Sequence, residues 1–213
     1  HINVGNSLSE VGVQGQVEAT ADVSYVGGLV GKVDNASISK AFTDVDVEGK
    51  SLVGGLLGNI GYGTVEDSMA IGRVTGTGKI GGLIGEVTGG SGVTISRSYA
   101  TGAVSDTPLS GGLHGDSGPL FGTWNDSFWD IGLTGQSNRE NEHRGGVGKT
   151  TEEMTTRSTY ANWDFNTVWA FLPIGYPVLR WLGYNAPPSE LTLDTASVEE
   201  NRESGTVVGS LFA

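Results

Sequence analysis

A five-residue phrase of the form GGLxG recurs four times in the first 115 residues. The copies are GGLVG, GGLLG, GGLIG and GGLHG, which begin at residues 27, 54, 81 and 111, at steps of 27, 27 and 30 residues. A unit of this length cannot bury its own apolar face, so each unit must pack against its neighbours along one axis. The period therefore predicts a solenoid.

The residues between these copies predict strands. A second phrase recurs there as ISKAFTDVDVEG from residue 38, VEDSMAIGRVTG from residue 65 and ISRSYATGAVSD from residue 95. It holds β-branched and aromatic residues in short alternating runs bounded by glycine, without the apolar stripe that marks a helix. We therefore predict an all-β fold, a parallel β-solenoid (β-helix) of about four to five coils over residues 1–135, with an aromatic-rich C-terminal cap.

In-register stacking predicts which side chains meet, because equivalent positions in adjacent coils lie about 4.8 Å apart. One predicted internal ladder contains Leu29, Leu56, Leu83 and Leu113, and a second contains Phe42, Met69, Tyr99 and Phe128. The glycines that precede the leucines are expected to provide positive φ or close backbone approach at the corners. These are Gly28, Gly55, Gly82 and Gly112. Such a repeated requirement accounts for 36 glycines in 213 residues, more than twice the usual share of roughly 7%.

Two details of the pattern predict local irregularity. Alternate residues of a strand point to opposite faces, so Val45 and Val47 lie on the same face as Ala41 and on the opposite face from Phe42. These four apolar residues therefore cannot all point inward along a flat strand. We expect a bend or bulge near Phe42. In the fourth copy His114 replaces an aliphatic residue, and we expect the regular packing to end there.

Charge and composition exclude several classes of function. The net charge of −12 repels nucleic acid and anionic membranes, so neither is expected as a partner. The absence of cysteine excludes a thiolate metal site and a cysteine nucleophile. No apolar run approaches the roughly 18 residues of a membrane-spanning helix, so we expect no membrane insertion. The chain begins HINVG without Met, and we expect it to be a piece of a longer, exported protein.

The GGLxG phrases, each followed by a phrase such as SRSYATGAV, resemble the GLUG motif repeats of large bacterial surface adhesins and some secreted bacterial peptidases. The resemblance covers roughly residues 7–181. It implies an extracellular or cell-surface stalk or adhesion segment that works in cell-surface or biofilm attachment. It brings no catalytic residues. The implied partner is a surface glycan or another component of the host or biofilm.

The segment 136–183 consists of a polar loop followed by an aromatic cluster, and the cluster has two interpretations. The aromatic side chains Trp163, Trp169, Tyr176 and Trp181 lie close together in the sequence. In the first interpretation they cap an open end of the solenoid, where a strand edge and an apolar core would otherwise be exposed. In the second they form a platform on which sugar rings stack. The pattern W-D-F…V-W…G-Y-P-x-L-x-W in this segment also resembles the ending that follows GLUG repeats in related chains, which favours the cap.

Residues 184–188 are a proline-rich linker, since consecutive prolines stiffen a chain into a spacer. Residues 189–213 resemble the first strand of a truncated cadherin-like domain, and by that resemblance Glu200 is a calcium ligand. A second candidate calcium site is the pair Asp44 and Asp46, because calcium accepts loose clusters of oxygen ligands. The C-terminal strand or the solenoid edge is also a candidate for self-association by strand addition.

Other candidate signals for chemistry are weak. RGGVGKTT at residues 144–151 resembles the phosphate loop of partition-type ATPases, but no core strand precedes it. Stacking places Asp44 and Asp46 beside Ile71 and Arg73, so no acidic column forms. The pair Asp126 and Asp130 is a further candidate for acid–base chemistry. We expect a protein that is not an enzyme. The competing hypothesis is a carbohydrate-binding module or glycan-active β-helix enzyme that uses the aromatic cluster.

Overall fold

A computed structural model describes residues 7–19, 24–115, 121–137, 145–173 and 175–183, together with the backbone of residues 192–193 and 211–212. The described chain forms an all-β parallel solenoid of about four turns. The predicted fold class is therefore confirmed.

The strands of successive turns form four parallel sheets that run along the solenoid axis. Sheet 1 contains β3 (Tyr25–Gly27), β7 (Leu52–Gly54), β12 (Lys79–Gly81) and β16 (Ser110–Gly111). Sheet 2 contains β4 (Val30–Val33), β8 (Leu57–Ile60) and β13 (Ile84–Val87). Sheet 3 contains β1 (Ser7–Ser9), β5 (Ala36–Ser39), β9 (Gly63–Glu66), β14 (Val93–Ser96) and β17 (Thr123–Asn125). Sheet 4 contains β2 (Gly12–Glu18), β6 (Phe42–Glu48), β10 (Met69–Ala70), β11 (Val74–Thr75), β15 (Tyr99–Ala100), β18 (Phe128–Asp130) and β19 (Val147–Lys149).

The remaining elements are short. The helices are α1 (Ile131–Thr134) and α2 (Thr151–Met154), with 3-10 turns at Gly90–Gly92, Arg157–Tyr160 and Arg180–Leu182. Strands β20 (Trp169–Phe171) and β21 (Pro177–Leu179) form an antiparallel pair, as do β22 (Thr192–Leu193) and β23 (Leu211–Phe212). The predicted linker and most of the predicted cadherin-like strand, including Glu200, lie outside the described residues.

The leucines of the GGLxG phrases stack through the interior. The backbone N–H of Leu29 donates to the carbonyl of Leu56 at 3.0 Å, and that of Leu56 to the carbonyl of Leu83 at 2.9 Å. The N–H of Leu83 continues the series to Leu113 at 3.0 Å. Aliphatic side chains from sheets 2 and 3 fill the same core. The interior is therefore a continuous apolar column.

The glycines of these phrases act through close backbone approach. A Cβ on Gly55 would lie 2.2 Å from the carbonyl oxygen of Gly82, and one on Gly82 would lie 2.2 Å from that of Gly112. Among the described residues, none of the GGLxG glycines has positive φ, so that part of the prediction is wrong. The left-handed conformation instead occurs one residue before the serine of the second phrase, at Asp67 and Arg97.

These left-handed residues form a column at the corner between sheets 3 and 4, here called the corner column. Its members are Glu10, Lys40, Asp67, Arg97 and Asp126, with φ between 46° and 55°. Their charges alternate along the axis. Lys40 Nζ lies 3.0 Å from Glu10 Oε1, and Arg97 makes a two-point contact to the Asp67 carboxylate at 2.9 and 3.0 Å. Opposite charges are thus adjacent from coil to coil.

A column of buried serines follows the corner column and explains the serine of the second phrase. The hydroxyl of Ser68 donates to the carbonyl of Glu66 at 2.8 Å and accepts the N–H of Ala41 at 3.1 Å. Ser98 and Ser127 repeat the arrangement, each accepting the N–H of the serine in the preceding coil. Each hydroxyl thereby satisfies one buried amide that the turn leaves without a ladder partner.

The predicted bend or bulge near Phe42 is absent from β6, which runs in unbroken register with β2 from Phe42 to Glu48. Val45 and Val47 point inward and are buried. Phe42 points outward with the parity of the exposed Asp44, yet it is only 9% exposed because the C-terminal segment covers it. The second predicted ladder therefore lies on the outside of sheet 4.

The fourth copy keeps the parallel register of the others but not their full packing, because within the described residues its part of sheet 2 is a single bridge rather than a strand. His114 is 2% exposed, bridges to Ile84 in parallel register and accepts the N–H of Val87 at its Nε2. Trp124 and Trp129 close the interior beyond it. The Trp129 ring occupies the position that a Cβ on Gly112 would take, 2.1 Å away, and its indole N–H donates to the carbonyl of Gln136.

Replacing Gly55 with Ala is expected to lower the free energy of unfolding by about 3 kcal/mol, the upper end for overpacking a rigid site. The reason is that the new methyl group would meet the backbone of the next coil. Chemical denaturation followed by circular dichroism measures the change. Gly132→Ala is the control, because a Cβ there meets only side-chain atoms at 3.1 Å or more. Equal stability of the two variants would contradict the close-approach argument.

Candidate functional site

Residues 157–173 and 175–183, here called the strap, lie along the outer face of sheet 4. Three indole N–H groups attach the strap to the corner column. Trp163 donates to the carbonyl of Asp126 at 2.9 Å, Trp169 to Asp67 Oδ1 at 3.1 Å and Trp181 to the carbonyl of Lys40 at 2.9 Å. The aromatic segment therefore covers the side of the solenoid rather than its end, and the predicted end cap is corrected accordingly.

A buried aromatic core lies between the strap and the outward ladder of sheet 4. The ring centroids of Trp163 and Trp169 are 4.4 Å apart, and Tyr99 lies about 6 Å from both. Trp163 is 5% exposed and Trp169 is fully buried. Neither ring can present a face to a sugar, so the predicted stacking platform does not hold for these two residues. The strap, the corner column and the outward ladder form one packed unit.

Asp130 lies at the centre of a buried polar network. Its carboxylate is fully buried and accepts the hydroxyl of Tyr176 at 2.6 Å, the N–H of Leu133 at 2.9 Å and the hydroxyl of Thr151 at 3.0 Å. The network joins α1, α2 and the strap. Because these bonds engage both carboxylate oxygens, Asp130 serves to join these elements of the fold.

Burial sets the ionisation of the tyrosines in this core. Desolvation, followed by the charge of Tyr176, raises the pKa of Tyr99 far above its usual range. Its hydroxyl donates to the carbonyl of Pro177 at 2.8 Å. Desolvation and the hydrogen bond to Asp130 also raise the pKa of Tyr176. These hydroxyls are therefore donors that stay protonated in the folded protein.

The other two predicted sugar-stacking residues, Tyr176 and Trp181, are half-buried and line a groove of ≈ 540 Å³ between the strap and sheet 4. Leu172 belongs to the same wall, and the floor includes Gln14, Ile71 and Thr101. The floor residues lie in one column along the axis, in which the coil that carries Asp44 separates Gln14 from Ile71. No sequence signal marks them as site residues, because each occupies an ordinary outward position of a strand. Only the position of the strap turns this column into the floor of a groove.

The remaining sequence-predicted sites do not assemble. Asp44 and Asp46 are exposed; Asp44 accepts the amide of Gln14 and Asp46 accepts the backbone N–H of Arg73. Within the described ranges, no group of three or more His, Cys, Asp or Glu side chains is arranged to hold a metal ion. The calcium prediction for Asp44 and Asp46 therefore gains no further ligands from the described residues.

The segment that resembles a phosphate loop has a structural role. Val147–Lys149 is strand β19, which pairs in parallel with β18. Thr150 begins α2 with a capping box that includes Glu153, and Lys149 Nζ lies 3.1 Å from Glu153 Oε1. A helix of four residues follows. The described part of the phrase thus adds one more strand to sheet 4.

Comparison with known proteins supports the repeat assignment in part. Residues 49–75 match the GLUG motif. No significant match to a curated protein exists. The fold is similar to the crystal structure of a candidate immunoglobulin A1 protease from Bacteroides ovatus, with a TM-score of 0.62 and 20% sequence identity. That similarity covers 82% of this chain and 57% of the other chain, so this chain spans little more than half of its length. At this identity the similarity establishes the fold alone.

No helix in the described ranges is long and apolar enough to cross a membrane.

Replacing Trp169 with Ala is expected to lower the free energy of unfolding by about 3 to 5 kcal/mol, because a fully buried indole is lost. Trp169→Phe should cost less, since it keeps most of the ring contact and loses only the hydrogen bond to Asp67. Urea denaturation gives both values. Tyr62→Ala is the matched control, because that ring is 57% exposed, and its cost should stay within about 0.5 kcal/mol. A Trp169→Ala variant as stable as Tyr62→Ala would contradict the packing.

Alkaline pH is expected to destabilise the fold through Tyr99. A raised folded-state pKa contributes stability that is complete below the unfolded pKa of about 10 and is lost as pH rises towards the folded value. The free energy of unfolding should therefore fall by about 1.4 kcal/mol per pH unit above pH 10 from this one tyrosine. Denaturation at pH 8 to 11 measures the slope. Tyr99→Phe should make it shallower, and identical slopes for this variant and the wild type would refute the assignment.

Proposed function

We propose that the chain is a non-catalytic structural and adhesive segment of a large extracellular bacterial surface protein, in which it acts as a stiff rod that presents ligand-binding surfaces. The observation that carries the proposal is the strap. Its indole N–H groups attach to the corner column from Lys40 to Asp126. A single segment therefore holds several coils together across their stacking direction.

This attachment favours a load-bearing role. In a bare solenoid each coil contacts only its neighbours, so the coils can separate one at a time. Here the separation of any coil between Lys40 and Asp126 also requires disruption of the strap contacts and of the aromatic core around Trp163 and Trp169. The array is expected to resist pulling as one cooperative unit, which suits a stalk.

The surroundings of the acidic residues support a non-catalytic role. Acid–base catalysis needs two groups within reach of one substrate. Asp130 is buried within its own network, and Asp44 and Asp46 have Gln14, Gln16, Ile71 and Arg73 as their neighbours along sheet 4. The described residues thus offer no converging pair of acids in an open groove.

The GLUG motif at residues 49–75 supports the adhesive and extracellular part of the proposal. Surface adhesins place such repeats between other modules, and a cadherin-like module that begins in residues 189–213 fits that organisation. The proposed partner is a surface glycan or another component of the host or biofilm. We also propose that Glu200 belongs to a calcium site at the module junction.

A second candidate function is a carbohydrate-binding module or a glycan-active enzyme. The specific observation in its favour is the groove beneath Tyr176 and Trp181. The two functions differ in turnover. Incubation of the full chain with neutral and acidic polysaccharides, followed by assays for reducing ends and unsaturated products, distinguishes an enzyme from a binding or structural segment.

The proposal is tested in the producing organism. Antibodies raised against the full chain should label intact cells, and an in-frame deletion of the segment should reduce attachment under flow without loss of the remaining protein from the surface. A deletion strain that attaches like the wild type would refute the adhesive role. Label that appears only after cell lysis would refute the surface location. Polysaccharide turnover above that of a heat-inactivated sample would refute the non-catalytic role.

A further inference from the structure

We propose that the groove between the strap and sheet 4 binds a neutral, linear oligosaccharide that lies parallel to the solenoid axis. This inference deepens the proposed adhesive function and rests on it. The groove has ≈ 540 Å³ of space, within the range of small-ligand sites in proteins.

The sheet side of the groove combines the apolar Phe42, Met69 and Ile71 with polar groups, whereas the strap side has none that is free. The strap side is apolar and aromatic, with Trp181, Tyr176 and Leu172 half-buried. The indole N–H of Trp181 donates to the carbonyl of Lys40, and the hydroxyl of Tyr176 donates to Asp130. What they offer a ligand is therefore apolar surface. A pyranose ring has a matching face of C–H groups.

The opposite side carries a column of outward side chains from successive strands of sheet 4. Gln14 pairs with Asp44 in the β2–β6 register, and Ile71 and Thr101 continue the column in the next two coils. Gln14 Nε2 lies 3.3 Å from Asp44 Oδ2, and both side chains are exposed. The Gln14 amide and the Thr101 hydroxyl line the groove and can exchange hydrogen bonds with sugar hydroxyls along the edge of the ring.

The spacing of the column favours a glycan over a peptide. Adjacent coils repeat at about 4.8 Å, which is close to the length that one pyranose residue adds to an extended β-linked chain. An extended peptide repeats the same face only every two residues, or about 6.7 Å, so its side chains would fall out of register. The strands that form the floor also hydrogen-bond to each other, so they offer a peptide no free edge for strand addition.

Charge selects among glycans. Asp44, which contacts the groove-lining Gln14, and the nearby Asp46 contribute to the net charge of −12 of the chain, and this field repels uronate- and sulfate-bearing polymers. Arg73 lies in the column beyond, next to Asp46. A neutral polymer meets no such penalty, and for this reason we assign the site to neutral glycans.

Affinity electrophoresis of the full chain tests the assignment. The probes are soluble mixed-linkage β-glucan, mannan and galactan, with alginate and heparin as anionic comparisons. At least one neutral polymer should retard the wild-type chain, and the anionic polymers should not.

Gln14→Ala should weaken the retardation about tenfold in apparent Kd through the loss of one hydrogen-bonding group. Gln16→Ala is the matched control, because this exposed glutamine lies on the same strand one column further from the groove.

Ile71→Lys provides a second variant that blocks the groove without a cost to the core. Ile71 is 36% exposed, and the neighbouring outward position already carries the long basic side chain of Arg73. This variant should abolish retardation while its thermal midpoint stays at the wild-type value.

Three results would overturn the assignment. They are the absence of retardation by any neutral polymer, equal retardation of the Gln14→Ala and Gln16→Ala variants, and retardation by the anionic polymers. The outcome is separable from that of the adhesive function. If cells that carry Ile71→Lys attach like the wild type while the deletion strain does not, the groove is not the binding site, but the adhesive function is still supported.

Discussion

The in-register stacking of coils, with their backbones in direct contact at the GGLxG phrases, is the constraint on which the rest of the structure depends. A Cβ at Gly28, Gly55 or Gly82 would lie 2.2 Å from the carbonyl oxygen of the next coil. Only glycine lets the backbones come this close. The same spacing brings the leucines into an interior column, the serines into a hydrogen-bonded series and the corner residues into contact. Each of these depends on a register that a single bulky residue would disturb.

The sequence predicted the solenoid, its approximate number of coils and the partners within each ladder, because these follow from the repeat period alone. It did not predict the position of the strap, since that segment carries no repeat. The sequence contains one signal that this face of the solenoid is covered. The parity conflict at Phe42 predicts a bulge, whereas in the structure Val45 and Val47 face the interior and Phe42 points outward beneath the strap. An apolar residue at an outward position of a regular strand indicates that something covers that face.

The same limit explains what sequence reasoning missed at the candidate site. Trp163, Trp169, Tyr176 and Trp181 stood out as a cluster of aromatic residues, but their separation into two buried rings and two groove-lining rings depends on where the strap crosses the coils. The repeat period predicts that Gln14, Ile71 and Thr101 form a column, but it does not predict that aromatic side chains of the strap lie beside them. Trp124 and Trp129, which close the interior, take the places of Ile95 and Ala100 in the next coil, so the period gives their positions but not their closing role.

The alternating charges of the corner column limit how such an array can change its length. In the observed order Glu10, Lys40, Asp67, Arg97 and Asp126, every residue is adjacent only to residues of the opposite charge. Removal of the coil that carries Asp67 would place Lys40 against Arg97, and removal of the coil that carries Arg97 would place Asp67 against Asp126. Like charges directly opposite each other on adjacent strands are destabilising. Gain or loss of coils in pairs preserves the alternation, so the natural unit of duplication in this rod is two coils rather than one.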